Sequence, residues 1–296
     1  MKTIGRLLTA MVTPFKDNGD VDYEQAKKLA LALLDSGSDG LVVVGTTGES
    51  PTLIHEEENR LFKEIKAAVG DRGAVIAGTG SNSTAEAIAA TKDAEKIGVD
   101  ACLLEVPYYN KPSQEGLYQH FKAIANSTRL PCILYNVPSR TVTSMTAETV
   151  ARLSQIENII GLKEASANME LVAGVISNAR KGFLVWSGND SDTFNIMALG
   201  GYGIISVASH LVGLQIKEQI DKFLAGKIAE SAAIHRKLLP LVNAMFVVSN
   251  PVPVKYALNQ VGFRVGKPRL PLVEPDEKSA AMIKETLKKY KIDIKV

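Results

Sequence analysis

The stretch NIIGLKEAS, Asn158 to Ser166, places a lysine, Lys163, where an apolar strand calls for one more buried residue. Lysine is almost never fully buried unless it is paired. One reading is a rim lysine paired with a carboxylate such as Glu164. The other is a lysine held dry for chemistry. Burial disfavours the ammonium form and lowers the pKa. A drop of ~3 units from ~10.4 represents ~4 kcal/mol of lost preference for that form. A neutral amine attacks a carbonyl carbon and forms a Schiff base, with no metal needed. Other apolar runs also end on reactive residues: Thr46-Thr47-Gly48-Glu49, Tyr108-Tyr109-Asn110, Tyr135-Asn136, Arg140, Gly188-Asn189-Asp190 and Ser206. Tyr135 taken alone reads as core. Thr46 and Thr47 lie between glycines, either as a tight turn or as a loop whose backbone N–H groups cradle a carboxylate.

Eight short apolar runs have to position these residues. They are LLTAMVTPF (7–15), GLVVVGTTG (40–48), GAVIAGTG (73–80), ACLLEVPYY (101–109), CILYNVPSR (132–140), IIGLKEAS (159–166), FLVWSGND (183–190) and GIISVAS (203–209). Each is too short for an ordinary helix and rich in Val, Ile and Leu. Amphipathic segments lie between them. In the first, Ala26, Leu29, Ala30, Leu33 and Leu34 form one apolar stripe. Asp22 with Gln25 reads as its cap and Gly37 as its stop. Further helices are expected at about 55–69, 84–97, 114–126, 146–155, 167–179 and 191–199. Strands alternating with helices predict a parallel sheet with right-handed crossovers. Eight such units predict an α/β (β/α)₈ TIM barrel. An open doubly wound sheet is the alternative and normally has fewer strands. After the eighth run only helical patterns follow, at 212–225, 227–248, 253–261 and 276–290. The expected division is a catalytic barrel over 1–226 and a small all-helical C-terminal extension over 227–296.

In such a barrel the active site lies at the C-terminal ends of the strands, where the polar residues fall. Strand alternation puts Ile160 and Leu162 toward the helices, and Gly161 and Lys163 toward the interior.

The chain has 296 residues and a net charge of +2, with the two signs well mixed. The basic cluster from Lys284 to Lys295 reads as the solvated face of a last helix, and no nucleic-acid footprint is present. No apolar run approaches the ~20 residues of a membrane helix. The start, MKTIGRLLTAMVTPF, lacks a signal-peptide layout, so a cytoplasmic protein is expected. Cys102 and Cys132 sit in apolar runs and read as buried reduced thiols. His55, His120, His210 and His235 are scattered without zinc spacing, so no metal is expected. GTGSNS (78–83) matches only the first two glycines of a dinucleotide fingerprint, and the GTTG loop lacks the ending of a phosphate loop.

With these residues placed, the sequence resembles the 4-hydroxy-tetrahydrodipicolinate (dihydrodipicolinate) synthase family of the pyruvate-dependent class I aldolase and N-acetylneuraminate lyase superfamily. The motifs are GTTGES (45–50), GTGSNSTAEAI (78–88), PYYNKPSQEGLYQHF (107–121), YNVPSRT (135–141), GLKEAS (161–166), SGND (187–190) and GGYGIISV (200–207). Together they span essentially the whole chain, in family order.

The resemblance implies condensation of pyruvate with L-aspartate 4-semialdehyde, in diaminopimelate and lysine biosynthesis. It implies an imine of pyruvate on Lys163 and no separate cofactor. Tyr135, Thr46 and Tyr109 would form a proton relay, Tyr109 being delivered across a tight-dimer interface. Thr47 would hold the pyruvate carboxylate, and Gly188 and Ile205 would contribute backbone groups. Arg140, a guanidinium fork at the pocket mouth, would bind the carboxylate of the second substrate. Related sialic-acid lyases and keto-deoxy-sugar aldolases generally lack an arginine in this context, and a lyase of that kind is the alternative function. A non-catalytic barrel would be expected to have lost the lysine or the tyrosines. The resemblance further implies a homotetramer built from tight dimers. It also implies an L-lysine feedback site at Ser50, Pro51, His55, Glu58, Asn82, Glu86 and Tyr108. Glu58 stands where feedback-sensitive members carry histidine, and a carboxylate there still accepts an ammonium group. Two further departures are Val142, where the family usually has glycine, and Lys111, where arginine is common.

Overall fold

A computed structural model describes residues 4–295. Among them, eight strands follow one another: β1 Leu7–Ala10, β2 Gly40–Val43, β3 Ala74–Gly78, β4 Ala101–Glu105, β5 Cys132–Asn136, β6 Ile159–Glu164, β7 Leu184–Ser187 and β8 Gly203–Ser206. They close into a barrel in sequence order. The open doubly wound alternative is thereby excluded. The chain divides into two compact units. One comprises Ile76–Ile205 with the segment up to Arg6; the other comprises Leu7–Val75 with the chain from Ser206 onward.

In the first unit β4, β5, β6 and β7 pair in parallel. Their outer faces pack on the helices Thr84–Ile97, Gln114–Ala125, Ala147–Leu153 and Met169–Asn178. Leu104, Leu134, Leu162 and Val185 from the strands meet Leu117, Phe121, Ile124, Val150 and Val175 from the helices. Fully burying such a side chain is worth about 1.5–3 kcal/mol. Side-chain caps fix where these helices start. Ser83, Ser113, Thr146 and Asn168 each accept from the backbone N–H three residues on. The cap oxygen satisfies an N–H that has no partner within the helix.

One expectation fails here. Ile159, not Ile160, faces the helices with Leu162. Cys132 pairs with Ile159 and Ile133 with Gly161, so Ile160 is the extra residue of a register irregularity. An inserted residue shifts the phase of everything before it, as in a bulge. The two cysteines are buried free thiols, as expected. They are also register partners on β4 and β5, with sulfurs 3.5 Å apart.

In the second unit β1 pairs with β2 in parallel. The helix Tyr23–Asp35 is capped by Asp22, which accepts from the Gln25 N–H at 3.0 Å. Gly37, with φ +104°, turns the chain away from that helix, a conformation that glycine adopts freely. Helices Ser209–Leu224, Ile228–Ala244, Val252–Gln260 and Glu277–Leu287 complete the unit. The last two expected C-terminal helix ends, 248 and 290, lie beyond the observed ones.

Candidate active site

Glu105, Tyr135, Lys163 and Trp186 are successive register partners at the C-terminal ends of β4, β5, β6 and β7. Register partners on neighbouring parallel strands point to the same face, about 4.8 Å apart. Gly161, two residues before Lys163, shares that face. A Cβ on Gly161 would lie 2.6 Å from the Trp186 ring and 2.3 Å from the Leu184 carbonyl oxygen. Glycine is therefore required for the tryptophan to fold in beneath the lysine. Trp186 is fully buried and donates its indole N–H to the Gly5 carbonyl at 3.0 Å.

Lys163 is only 5% exposed. Its Nζ lies 4.2 Å from the centroid of the Tyr135 ring. Burial lowers its pKa to about 8, opposed by Asp190, reinforced by Arg140 and opposed again by Glu105. Glu164 is not its partner. The Glu164 carboxylate lies on the other face of β6, where the Asn136 amide donates to it at 2.9 Å and the Ser166 N–H at 2.6 Å. The rim-pair reading of Lys163 fails because neighbouring strand residues point opposite ways.

Arg140 is exposed on a single helical turn, Pro138–Thr141, that follows β5. Gly188 follows β7, and its N–H donates to the Glu164 carbonyl at 2.7 Å. A Cβ there would lie 2.7 Å from the Ala165 methyl group. Ile205 is fully buried on β8. Tyr109 has φ 72° and is 90% exposed. An aromatic residue in the left-handed region with its ring in solvent is strained. Lys111 and Val142 also have positive φ. The positive φ of Val142 accounts for the family's glycine at that position.

In the second unit Thr46–Gly48 forms a 3-10 turn directly after β2. The Thr47 hydroxyl accepts from the Asn250 amide at 2.9 Å. Thr13 donates its hydroxyl to the Gly48 carbonyl at 2.6 Å. Below the turn, Glu49 is buried in a left-handed conformation. It accepts from Lys255 Nζ at 2.7 Å and from the Arg269 N–H at 2.8 Å. Lys255 is fully buried and also donates to the carbonyls of Thr13 and Lys267. Burial lowers the Lys255 pKa to about 8 against the pull of Glu49. Every strong donor of this lysine thus has a partner, as a buried charge requires.

Of the expected effector positions, Asn82 donates to the Tyr108 carbonyl at 3.2 Å, and Glu86 accepts from Ser81. His55 lies 3.7 Å from Glu58 on the helix His55–Val69. Ser50 and Pro51 form a short 3-10 turn just before that helix. Sequence reading missed Glu105, Asn250 and Lys255. Glu105 alone left a signal, a carboxylate inside the run ACLLEV.

The sequence profile of the dihydrodipicolinate synthetase family matches residues 3–290. The chain belongs to this family. Among relatives, a 4-hydroxy-tetrahydrodipicolinate synthase of Dehalococcoides mccartyi is 67% identical over the full length of both chains. One from Moorella thermoacetica is 57% identical, over 95% of this chain and 98% of the relative. Among solved structures, a dihydrodipicolinate synthase from Bacillus anthracis superposes with a TM-score of 0.96 at 45% identity, covering 98% of this chain and all of that one. The enzyme of Cyanidioschyzon merolae, with lysine bound, gives 0.95 at 46% identity, covering 97% and 98%. Its family relatives thus share both the sequence pattern and the closed barrel.

Proposed function

We infer that the chain condenses pyruvate with L-aspartate 4-semialdehyde to give 4-hydroxy-tetrahydrodipicolinate, in the diaminopimelate route to lysine, through a Schiff base on Lys163. The observation that carries the mechanism is Lys163 itself, buried at a strand end over the Tyr135 ring with a pKa near 8. At pH 7 roughly a tenth of such a lysine is the neutral amine, against a few parts in ten thousand for an ordinary one. Lys163 attacks the pyruvate ketone, and water leaves to give the imine. Loss of a methyl proton gives the enamine, whose carbon attacks the semialdehyde carbonyl. The substrate amine then displaces Lys163 and closes the ring.

The other groups take roles that fit their places. Thr47, its hydroxyl oriented by Asn250, and the backbone of the turn it sits in hold the pyruvate carboxylate. Gly188 and Ile205 contribute backbone groups. Arg140, exposed on its short turn, takes the second substrate's carboxylate as a bidentate partner. Tyr135, Thr46 and Tyr109 relay protons. The exposure and strain of Tyr109 suit a side chain supplied to a second copy, as in a homotetramer of tight dimers. Ser50, Pro51, His55, Glu58, Asn82, Glu86 and Tyr108 form an effector site for L-lysine, with Glu58 accepting an ammonium group. Borohydride reduction in the presence of pyruvate, followed by peptide mass spectrometry, tests the mechanism. The expected adduct is on Lys163, and active protein lacking it would overturn the imine. Kinetics with added L-lysine test the effector site, and a flat response at millimolar lysine would remove it.

A further inference from the structure

Glu105 takes no part in the mechanism above, yet it occupies the same inward row as its nucleophile. The row runs Glu105, Tyr135, Lys163 across β4, β5 and β6, with the tyrosine in the middle. Gly80 follows β3 by two residues. A Cβ there would lie 2.1 Å from Glu105 Oε2 and 2.5 Å from its Cδ. The carboxyl group therefore fills the space of a side chain that β3 does not supply, and any other residue at position 80 would expel it. A carboxylate set into an otherwise apolar strand is costly unless it is paired or protonated. Burial raises the Glu105 pKa, while its own backbone N–H and the Lys163 charge pull it back.

We propose that Glu105 is the proton reserve of the Lys163–Tyr135 pair during imine formation. This rests on the Schiff-base reading of Lys163. Dehydration of the first adduct breaks the bond from carbon to its hydroxyl oxygen and forms the C=N bond. The departing hydroxyl needs one proton to leave as water. Glu105 supplies it through the Tyr135 hydroxyl, which gives up its own proton and takes the carboxyl proton in return. The carboxylate left behind faces the positive iminium across one strand, so no net charge is created in the row. Return of the proton accompanies release of the lysine. Glu105 touches no substrate and acts through its neighbours. The groups that act electrostatically on Lys163 within its unit are Asp190 after β7, Arg140 after β5 and Glu105 on β4, with the Tyr135 ring against it. Of these, only Glu105 is a strand residue in register with Tyr135.

The test measures the rate of pyruvate-dependent borohydride labelling of Lys163 against pH, without the second substrate, in the wild-type protein and in E105Q. Removing the carboxylate is expected to move the acid limb down by about one pH unit. It is also expected to slow labelling on the plateau by ~10-fold or more. E105D, which keeps an acid, should recover the wild-type limb. E105V, which suits a strand, provides the same comparison should E105Q fold poorly. A folded E105Q or E105V with the wild-type limb and plateau would overturn the proposal while leaving the imine intact. Absence of label on Lys163 in wild type would overturn the imine reading itself.

Discussion

Lys163 is held in a form that favours chemistry over stability. An unfolded lysine titrates near 10.5 and this one near 8. Between those values the unfolded chain binds more protons, so the contribution of Lys163 to stability rises with pH across that window. Below about 8 it is fully unfavourable. Lys163→Met is therefore expected to abolish activity and yet stabilise the protein at pH 6, by up to about 3 kcal/mol. That advantage should vanish by pH 11, as urea unfolding at the two pH values would show. Val142 presents a simpler conflict. Its φ of 63° is unfavourable for a β-branched residue, and the side chain is 71% exposed, so it gains little from packing. Left-handed strain of about 1–3 kcal/mol outweighs the flexibility cost of glycine. Val142→Gly should raise unfolding stability by about 1 kcal/mol in chemical denaturation. The inward phase of Lys163 was legible from strand alternation. Glu105 was not, because nothing in a single strand says which carboxylate has an empty glycine site beside it.

The elements matter through what they hold in place. The turn carrying Thr46 and Thr47 rests on Glu49, whose carboxylate is secured by Lys255 and Arg269. Lys255→Met would strand Glu49 in a dry site and should cost about 3–5 kcal/mol, read from the urea midpoint. Asn250→Ala removes one donor from the Thr47 hydroxyl, worth about 1 kcal/mol. The KM for pyruvate should then rise roughly fivefold with kcat less affected, in steady-state assays. Helix starts were readable because Asp22, Ser83, Ser113, Thr146 and Asn168 carry the capping oxygen in the sequence itself. The Thr47–Asn250 bond was not, since its two ends are separated by 203 residues. Nor was the extra residue at Ile160, because an inserted isoleucine leaves an apolar run looking unchanged.

At the scale of the whole molecule, the count of eight apolar runs was enough to indicate closure, but not how tightly the strands meet. At one meeting point a Cβ on Gly203 would lie 2.1 Å from the Arg6 carbonyl oxygen, and Arg6 in turn accepts from the Ile204 N–H. Gly203→Ala must push these backbones apart and should cost about 1–3 kcal/mol in equilibrium unfolding. Trp186, the single tryptophan of the chain, belongs to the same interior and is the immediate register neighbour of Lys163. Its indole is dry, fixed by one hydrogen bond and set edge-on to Tyr202. A positive iminium formed one strand away would alter the field across that ring. Ultraviolet emission from the unlabelled protein should therefore report pyruvate capture in real time, with no dye attached and no second substrate present.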